Sequence, residues 1–82
     1  MKKEQEILVD RLNQLCKERS YSYYILAYKS SVPLSTLMHI MEGRVKNPGI
    51  FTIIKICSGL GITLGELFSP EELAGILESL EE

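Results

Sequence analysis

Apolar residues recur along most of the chain at spacings of three and four, the repeat of an amphipathic α-helix. This pattern predicts an all-α fold of six helices. The predicted helices run from about Glu4 to Glu18, Tyr23 to Ser30, Leu34 to Glu42, Ile50 to Leu60, Thr63 to Phe68 and Ser69 to Leu80. Capping sequences, Thr-x-x-Glu and Ser-Pro-Glu-Glu, open the last two.

The second and third predicted helices are short and are separated by a tight break at 30–33. Ser22 supplies a hydroxyl that can cap the first of them, and Val32 is expected to fill the gap between the pair. Leu37 and Ile40 lie on one face of the second. Because helices this short cannot stand alone, the rest of the chain should hold their angle. The arrangement is typical of a helix-turn-helix, whose second helix can enter a DNA major groove.

Two later helices carry apolar faces. The residues expected to point inward from the fourth helix are Ile50, Ile53, Ile54, Cys57 and Leu60. One face of the last helix is lined by Leu73, Ile76, Leu77 and Leu80. That face either folds back on the domain or pairs with another chain, and the sequence leaves both interpretations open.

The second helix has an unusual surface for a short helix of a small protein. Tyr24 and Tyr28 are one turn apart and flank Ile25, where charged residues would be expected. These tyrosines either cover neighbouring aliphatic groups while their hydroxyls stay wet, or form a contact patch for a second copy, a partner or the DNA backbone.

Composition sets limits on the class of protein. The 82 residues make one small domain, with no apolar run long enough for a membrane span and no signal sequence, so we expect a cytoplasmic protein. Cys16 and Cys57 are expected to be buried thiols, and His39 lacks neighbours at metal-ligand spacing. Without a catalytic carboxylate pair or a glycine-rich phosphate loop, we expect neither an enzyme nor a cofactor site. Without a second domain, we expect no small-molecule effector.

The charge is unevenly distributed along the chain. Residues 66–82 hold six glutamates and no basic residue, a formal charge of −6, whereas residues 1–65 hold nine basic residues against five acids, or +4. A mildly basic body with an acidic end is compatible with DNA binding. It is not evidence for DNA binding, because a solvated surface of mixed charge looks similar. We divide the chain into a helix-turn-helix domain, 1–68, and an acidic amphipathic C-terminal helix, 69–82.

An ordered set of residues between about Ile7 and Phe68 resembles the lambda-repressor/Cro-like helix-turn-helix family, also called the XRE family. The residues that carry the resemblance are Ser22, Leu26, Ala27, Val32, Ser35, Thr36, Leu37, Ile40, Gly43, Asn47, Pro48, Thr52, Lys55, Ile56 and the run 60–68. The resemblance implies a compact five-helix DNA-binding core, followed here by one additional helix. It also implies a dimeric transcriptional regulator that binds double-stranded DNA, and a repressor is the leading interpretation. The alternative is a protein-interaction or antitoxin-like module on the same fold.

The family's functional positions transfer to particular residues of this sequence. Its base-reading positions fall on Leu34, Ser35, Met38 and His39. Its phosphate-contacting positions fall on Ser22, Tyr23, Thr36, Arg44, Lys46 and Asn47. The resemblance thus implies that the outer side of the third helix and the loop after it face DNA.

Overall fold

The computed structural model describes residues 3–81, which form five α-helices and one 3-10 turn with no strand among them. The α-helices are α1 (Glu4–Arg19), α2 (Tyr23–Ser30), α3 (Leu34–Met41), α4 (Ile50–Leu60) and α5 (Pro70–Leu80). The all-α prediction is confirmed. No helix within residues 3–81 combines the length and the apolar content needed to cross a membrane.

Two helices end on serines in the left-handed backbone conformation. Ser20 after α1 has φ 57° and Ser31 after α2 has φ 56°. Glycine usually takes this conformation, which costs other residues roughly 1 kcal/mol. The Ser20 turn is closed by the Tyr21 N–H, which donates to the Cys16 carbonyl at 2.9 Å. These turns reverse the chain sharply enough to bring α1, α2 and α3 around one core.

The core is built from the inner faces of the first four helices together with Leu67. Its fully buried side chains include Leu12, Leu26, Leu37 and Ile56. Cys16 and Cys57 are also buried and free, as the sequence predicted. Burial raises the pKa of both thiols, so both stay protonated at neutral pH and act as small apolar groups.

The predicted inner face of α4 is wrong at two positions. Ile50 is 53% exposed and Ile54 is 41% exposed, whereas Ile56 is fully buried. The helix is rotated because Gly59 faces α2: a Cβ at Gly59 would lie 2.3 Å from the Ser30 Oγ. The missing side chain lets α2 and α4 approach closely and turns Ile56 into the core.

The predicted fifth helix is a single 3-10 turn, Leu64–Glu66. Thr63 N–H donates to the Glu66 carboxylate at 2.8 Å, which lowers the pKa of Glu66. Arg11 on α1 fixes the turn from the other side, since its guanidinium donates to the carbonyls of Glu66, at 3.2 Å, and Leu67. The turn therefore docks on α1 and places Leu67 in the core.

The last helix, α5, packs antiparallel along α1. Ser79 Oγ donates a hydrogen bond to the Glu4 carboxylate, and this bond lowers the pKa of Glu4. Nearer the middle of α5, a Cβ on Gly75 would come within 3.2 Å of the Ile7 side chain. The helix thus folds back on the domain by one edge. Its leucines, however, remain exposed: 48% for Leu73, 60% for Leu77 and 64% for Leu80.

Candidate nucleic-acid interface

The helix-turn-helix is held by local hydrogen bonds at both ends of α2 and by one buried side chain in the turn to α3. Ser22 caps α2, its Oγ accepting from the Ile25 N–H at 3.1 Å, as the sequence predicted. Val32 is buried, and its N–H donates to the Ala27 carbonyl at 3.1 Å. The predicted role of Val32 as the filler between the two helices is confirmed. This geometry sets the angle at which α3 leaves the domain.

The outer side of α3 is open to solvent. Its inner residues are buried, while Leu34 is 41% exposed and Ser35 and His39 are exposed. Met38, between them on the outer side, is half-buried. The principal neighbour of α5 is α1, so the acidic last helix does not cover this side. The candidate base-reading residues therefore share one accessible helix face.

The candidate phosphate contacts at the start of α2 have different surroundings. Ser22 is exposed, and Thr36 on α3 is half-buried. Tyr23 is half-buried against the core, and its hydroxyl donates to the Asn13 Oδ1 at 2.6 Å. The sequence analysis did not single out Asn13, which lies ten positions before Tyr23 and has no periodic relation to it. To donate to a phosphate, the Tyr23 hydroxyl must leave Asn13.

The loop after α3 presents the other candidate phosphate contacts. Arg44, Lys46 and Asn47 are all exposed. The Arg44 N–H donates to the His39 carbonyl at 2.9 Å, which holds the loop against the end of α3. The Arg44 Nε lies 3.4 Å from a carboxylate oxygen of Glu42. An exposed ion pair of this kind contributes little, so Arg44 remains able to exchange its partner for another anion.

Acidic residues are rare in the segment that forms the helix-turn-helix and its following loop. Between Glu18 and Glu66 the sequence contains one acidic residue, Glu42. Of the basic residues in that stretch, Arg19 is structural, because its Nε donates to the Leu60 carbonyl at 2.7 Å. The helix-turn-helix and its following loop thus contribute one carboxylate, Glu42, to the candidate interface, and Glu6 and Asp10 of α1 line a pocket beside it. This scarcity of acidic residues between positions 18 and 66 could have been noticed in the sequence. It marks the helix-turn-helix and its loop more closely than the charge difference on either side of residue 65 does.

The tyrosine face of α2 borders the start of α3. Tyr24 is 69% exposed and Tyr28 is 80% exposed. With Leu34, Ala27 and Val32, they line an open cavity of about 190 Å³. Rings this exposed cover few aliphatic neighbours, which favours the interpretation of a contact patch over that of a cover for the core.

Within residues 3–81, His, Cys, Asp and Glu side chains do not gather in groups of three or more that could hold a metal ion. His39 stands exposed on the outer side of α3, where it is a polar group facing solvent.

A capped short helix, a tight turn and a second helix with a buried inner side and an open outer side define a helix-turn-helix domain of the DNA-binding class. The family model of the Cro/C1-type HTH DNA-binding domain matches residues 11–72. The chain belongs to this family, which confirms the resemblance drawn from its sequence. Comparisons with curated proteins and with solved structures gave no match.

Proposed function

We propose that the protein is a transcriptional regulator, acting as a repressor, that inserts α3 into the major groove of double-stranded DNA. Membership in the Cro/C1-type family supports DNA binding in general. The observation that carries the proposal is the open outer side of α3, set in a stretch whose one carboxylate is Glu42. A major groove admits an α-helix, and its base edges carry a code that side chains can read.

On this proposal, the outer residues of α3 read the bases. Ser35 and His39 are one helical turn apart and offer hydrogen-bonding groups to base edges. Leu34 and Met38 form a parallel pair beside them, and either can contact a thymine methyl group. Sequence preference therefore comes from a small number of polar contacts supported by apolar ones.

Contacts to phosphate position the helix in the groove. Arg44, Lys46 and Asn47 reach the backbone from the loop, while Ser22, Tyr23 and Thr36 reach it from the two helix starts. Because a single copy offers few cations, its affinity for DNA is weak and falls steeply with added salt. A homodimer in the cytoplasm would present two copies of α3 about 34 Å apart, one turn of DNA. The proposal requires no cofactor and no small-molecule effector.

Retention on double-stranded DNA as a function of salt tests the proposal. The variant Arg44→Ala/Lys46→Ala should lose affinity, and the slope of log affinity against log salt should flatten by about 2 per copy. The matched control is Arg44→Lys/Lys46→Arg, which keeps both charges and should retain most of the affinity. Retention that is unchanged by removing both charges would contradict the proposal.

Base reading requires a separate test. The variant Ser35→Ala/His39→Ala should relax discrimination between DNA sequences while leaving the salt slope nearly unchanged, because neither residue is assigned a phosphate. A selection from random duplexes measures the preference of both proteins. If wild type and variant select the same sequences with equal stringency, α3 does not read bases through these side chains.

The second candidate function is a protein-interaction or antitoxin-like module on the same fold. The observation that favours it is the exposed aromatic cavity formed by Tyr24, Tyr28 and Leu34. This function predicts weak or no sequence-specific retention of the wild type on double-stranded DNA. Retention that falls with salt and depends on Arg44 and Lys46 would decide for the DNA-binding regulator.

A further inference from the structure

Two helices away from α3 carry strips of exposed apolar side chains. The α4 strip consists of Ile50, Phe51 and Ile54, and Phe51 is 76% exposed. The α5 strip consists of Leu73, Leu77 and Leu80, each at least 48% exposed. Monomeric proteins rarely expose contiguous apolar patches beyond a few hundred Å². Neither strip contains a residue assigned to DNA, so both are available for another contact, and the α4 strip adjoins the DNA surface where Lys46 and Ile50 line one groove.

The two strips differ in the charges that border them. Lys55 lies one turn after Phe51 and is the one charged residue of Ile50–Leu60. Pro70–Leu80 contains three glutamates and no basic residue, and Glu81 follows one turn after Leu77. The α4 strip is therefore bordered by a positive charge and the α5 strip by negative charges.

Charge decides how two copies can use these strips. Pairing α5 with α5 of a second copy brings glutamate-rich surfaces together, and pairing α4 with α4 brings lysine to lysine. Pairing α5 of one copy with α4 of the other brings together two apolar strips of similar length whose bordering charges are opposite in sign. We propose that two copies associate in this reciprocal way, the α5 strip of each lying on the α4 strip of the other.

The arrangement closes on itself. In a two-fold dimer a contact from residue i to residue j is repeated from j to i, so both strips of both copies are used and no strip is left for further growth. Next to Ile50, a groove of about 250 Å³ lined also by Leu8, Leu64 and Phe68 can receive a leucine side chain from the partner. The inference rests on the homodimer of the proposed function and names its contact surface.

Charge reversal on each strip tests the pairing by molecular mass in solution, without DNA. Lys55→Glu alone, and Glu78→Lys/Glu81→Lys alone, should each raise the dimer dissociation constant about 10-fold or more at low salt, because opposite borders become alike. Both sites are exposed, and lysine near the end of α5 suits the helix dipole, so both variants should fold. Circular dichroism before and after mixing checks that they do.

Mixing the two variants gives the decisive result. In a mixed dimer, the glutamate introduced at position 55 of one copy faces the lysines introduced on α5 of the other. The second contact of that dimer joins an unchanged α4 to an unchanged α5, as in the wild type. At both contacts the charges that face each other are therefore opposite in sign. The mixture should therefore recover the dimer mass of the wild type. If Lys55→Glu leaves the mass unchanged, or if the mixture recovers no dimer, α4 does not pair with α5 and the inference is wrong.

Removing apolar contacts supplies an independent check. Phe51→Ser and Leu77→Ser, one on each strip, should each shift the protein toward monomer, whereas Tyr28→Ser on α2 should not. The inference would be overturned if the wild type were monomeric at all accessible concentrations, or if Phe51→Ser left the dimer mass unchanged. DNA retention is measured separately, so the failure of the dimer surface and the failure of DNA binding can be told apart.

Discussion

Gly59 on α4 lies directly against Ser30 at the end of α2. A Cβ built on Gly59 would be 2.3 Å from the Ser30 Oγ and 2.9 Å from the Ser30 backbone nitrogen. Both residues are buried, and α2 and α4 share the most extensive helix–helix contact in the described chain. The crossing of these two helices thus depends on the absence of a side chain at one position, and α2 in turn sets the placement of α3.

Replacing Gly59 with alanine should destabilise the fold by roughly 3 kcal/mol, since the added methyl group meets backbone that cannot move without displacing α2. Urea unfolding measures the loss. The control is Gly75→Ala, where the nearest atom, 3.2 Å away, is the end of the flexible Ile7 side chain. That variant should change the free energy of unfolding far less. Equal losses in the two variants would contradict the backbone clash.

Replacing Ser30 with alanine should stabilise the protein by about 1 kcal/mol. The Ser30 Oγ is buried and has no hydrogen-bond partner among the described residues, and an unsatisfied buried hydroxyl is costly. The same urea experiment measures the gain. Ser30→Ala should not rescue Gly59→Ala, because the backbone nitrogen of residue 30 still blocks the new Cβ. A destabilised Ser30→Ala would show that the hydroxyl has a favourable contact.

Replacing Glu42 with glutamine should tighten DNA retention about threefold at low salt. Glu42 pairs with Arg44 at 3.4 Å and is the one carboxylate between Glu18 and Glu66, so its loss frees a cation and removes repulsion of phosphate. Glu71→Gln on α5 makes the same charge change outside the proposed interface and should have little effect. Equal tightening by both variants would mean that net charge alone is responsible.

Replacing Glu66 with glutamine should make stability less dependent on pH in acid. The hydrogen bond from the Thr63 N–H lowers the pKa of Glu66 in the folded protein below its ordinary value of 4.5. The stabilisation is therefore present above pH 4.5 and is lost as pH falls through the lower folded pKa. Denaturant unfolding at a series of pH values should give a flatter curve below 4.5 for the variant. An unaltered curve would rule out a contribution from this carboxylate.

The sequence predicted most of the fold because its signals are local. Ser22 and Ser69 stand at helix starts as capping residues, and the bounds of α2 and α4 are as predicted. The helix-turn-helix was recognisable from short-range spacing and one buried residue in the turn, Val32. These features depend on neighbouring residues, which is why a single chain reveals them.

The orientation of α4 could not be predicted because too many of its positions are apolar. Within Ile50–Leu60, isoleucine, leucine or phenylalanine lies on every side of the helix except that of Thr52, Lys55 and Gly59, so periodicity does not choose among the apolar sides. The choice is made by Gly59 meeting Ser30, a contact between distant parts of the sequence. The hydrogen bond from Tyr23 to Asn13 is non-local in the same way. The roles assigned to α3 and its loop in DNA binding stay predictions until the experiments above are done.

The hydrogen bond from Ser79 to Glu4 joins residues 75 positions apart. During synthesis, α1 leaves the ribosome long before α5, the helix that packs against it. Until α5 emerges, the edge of α1 around Ile7 stays uncovered, and chaperones can bind it. A nascent chain stalled before Gly75 should therefore hold the first four helices in a looser, protease-sensitive state than the finished protein does.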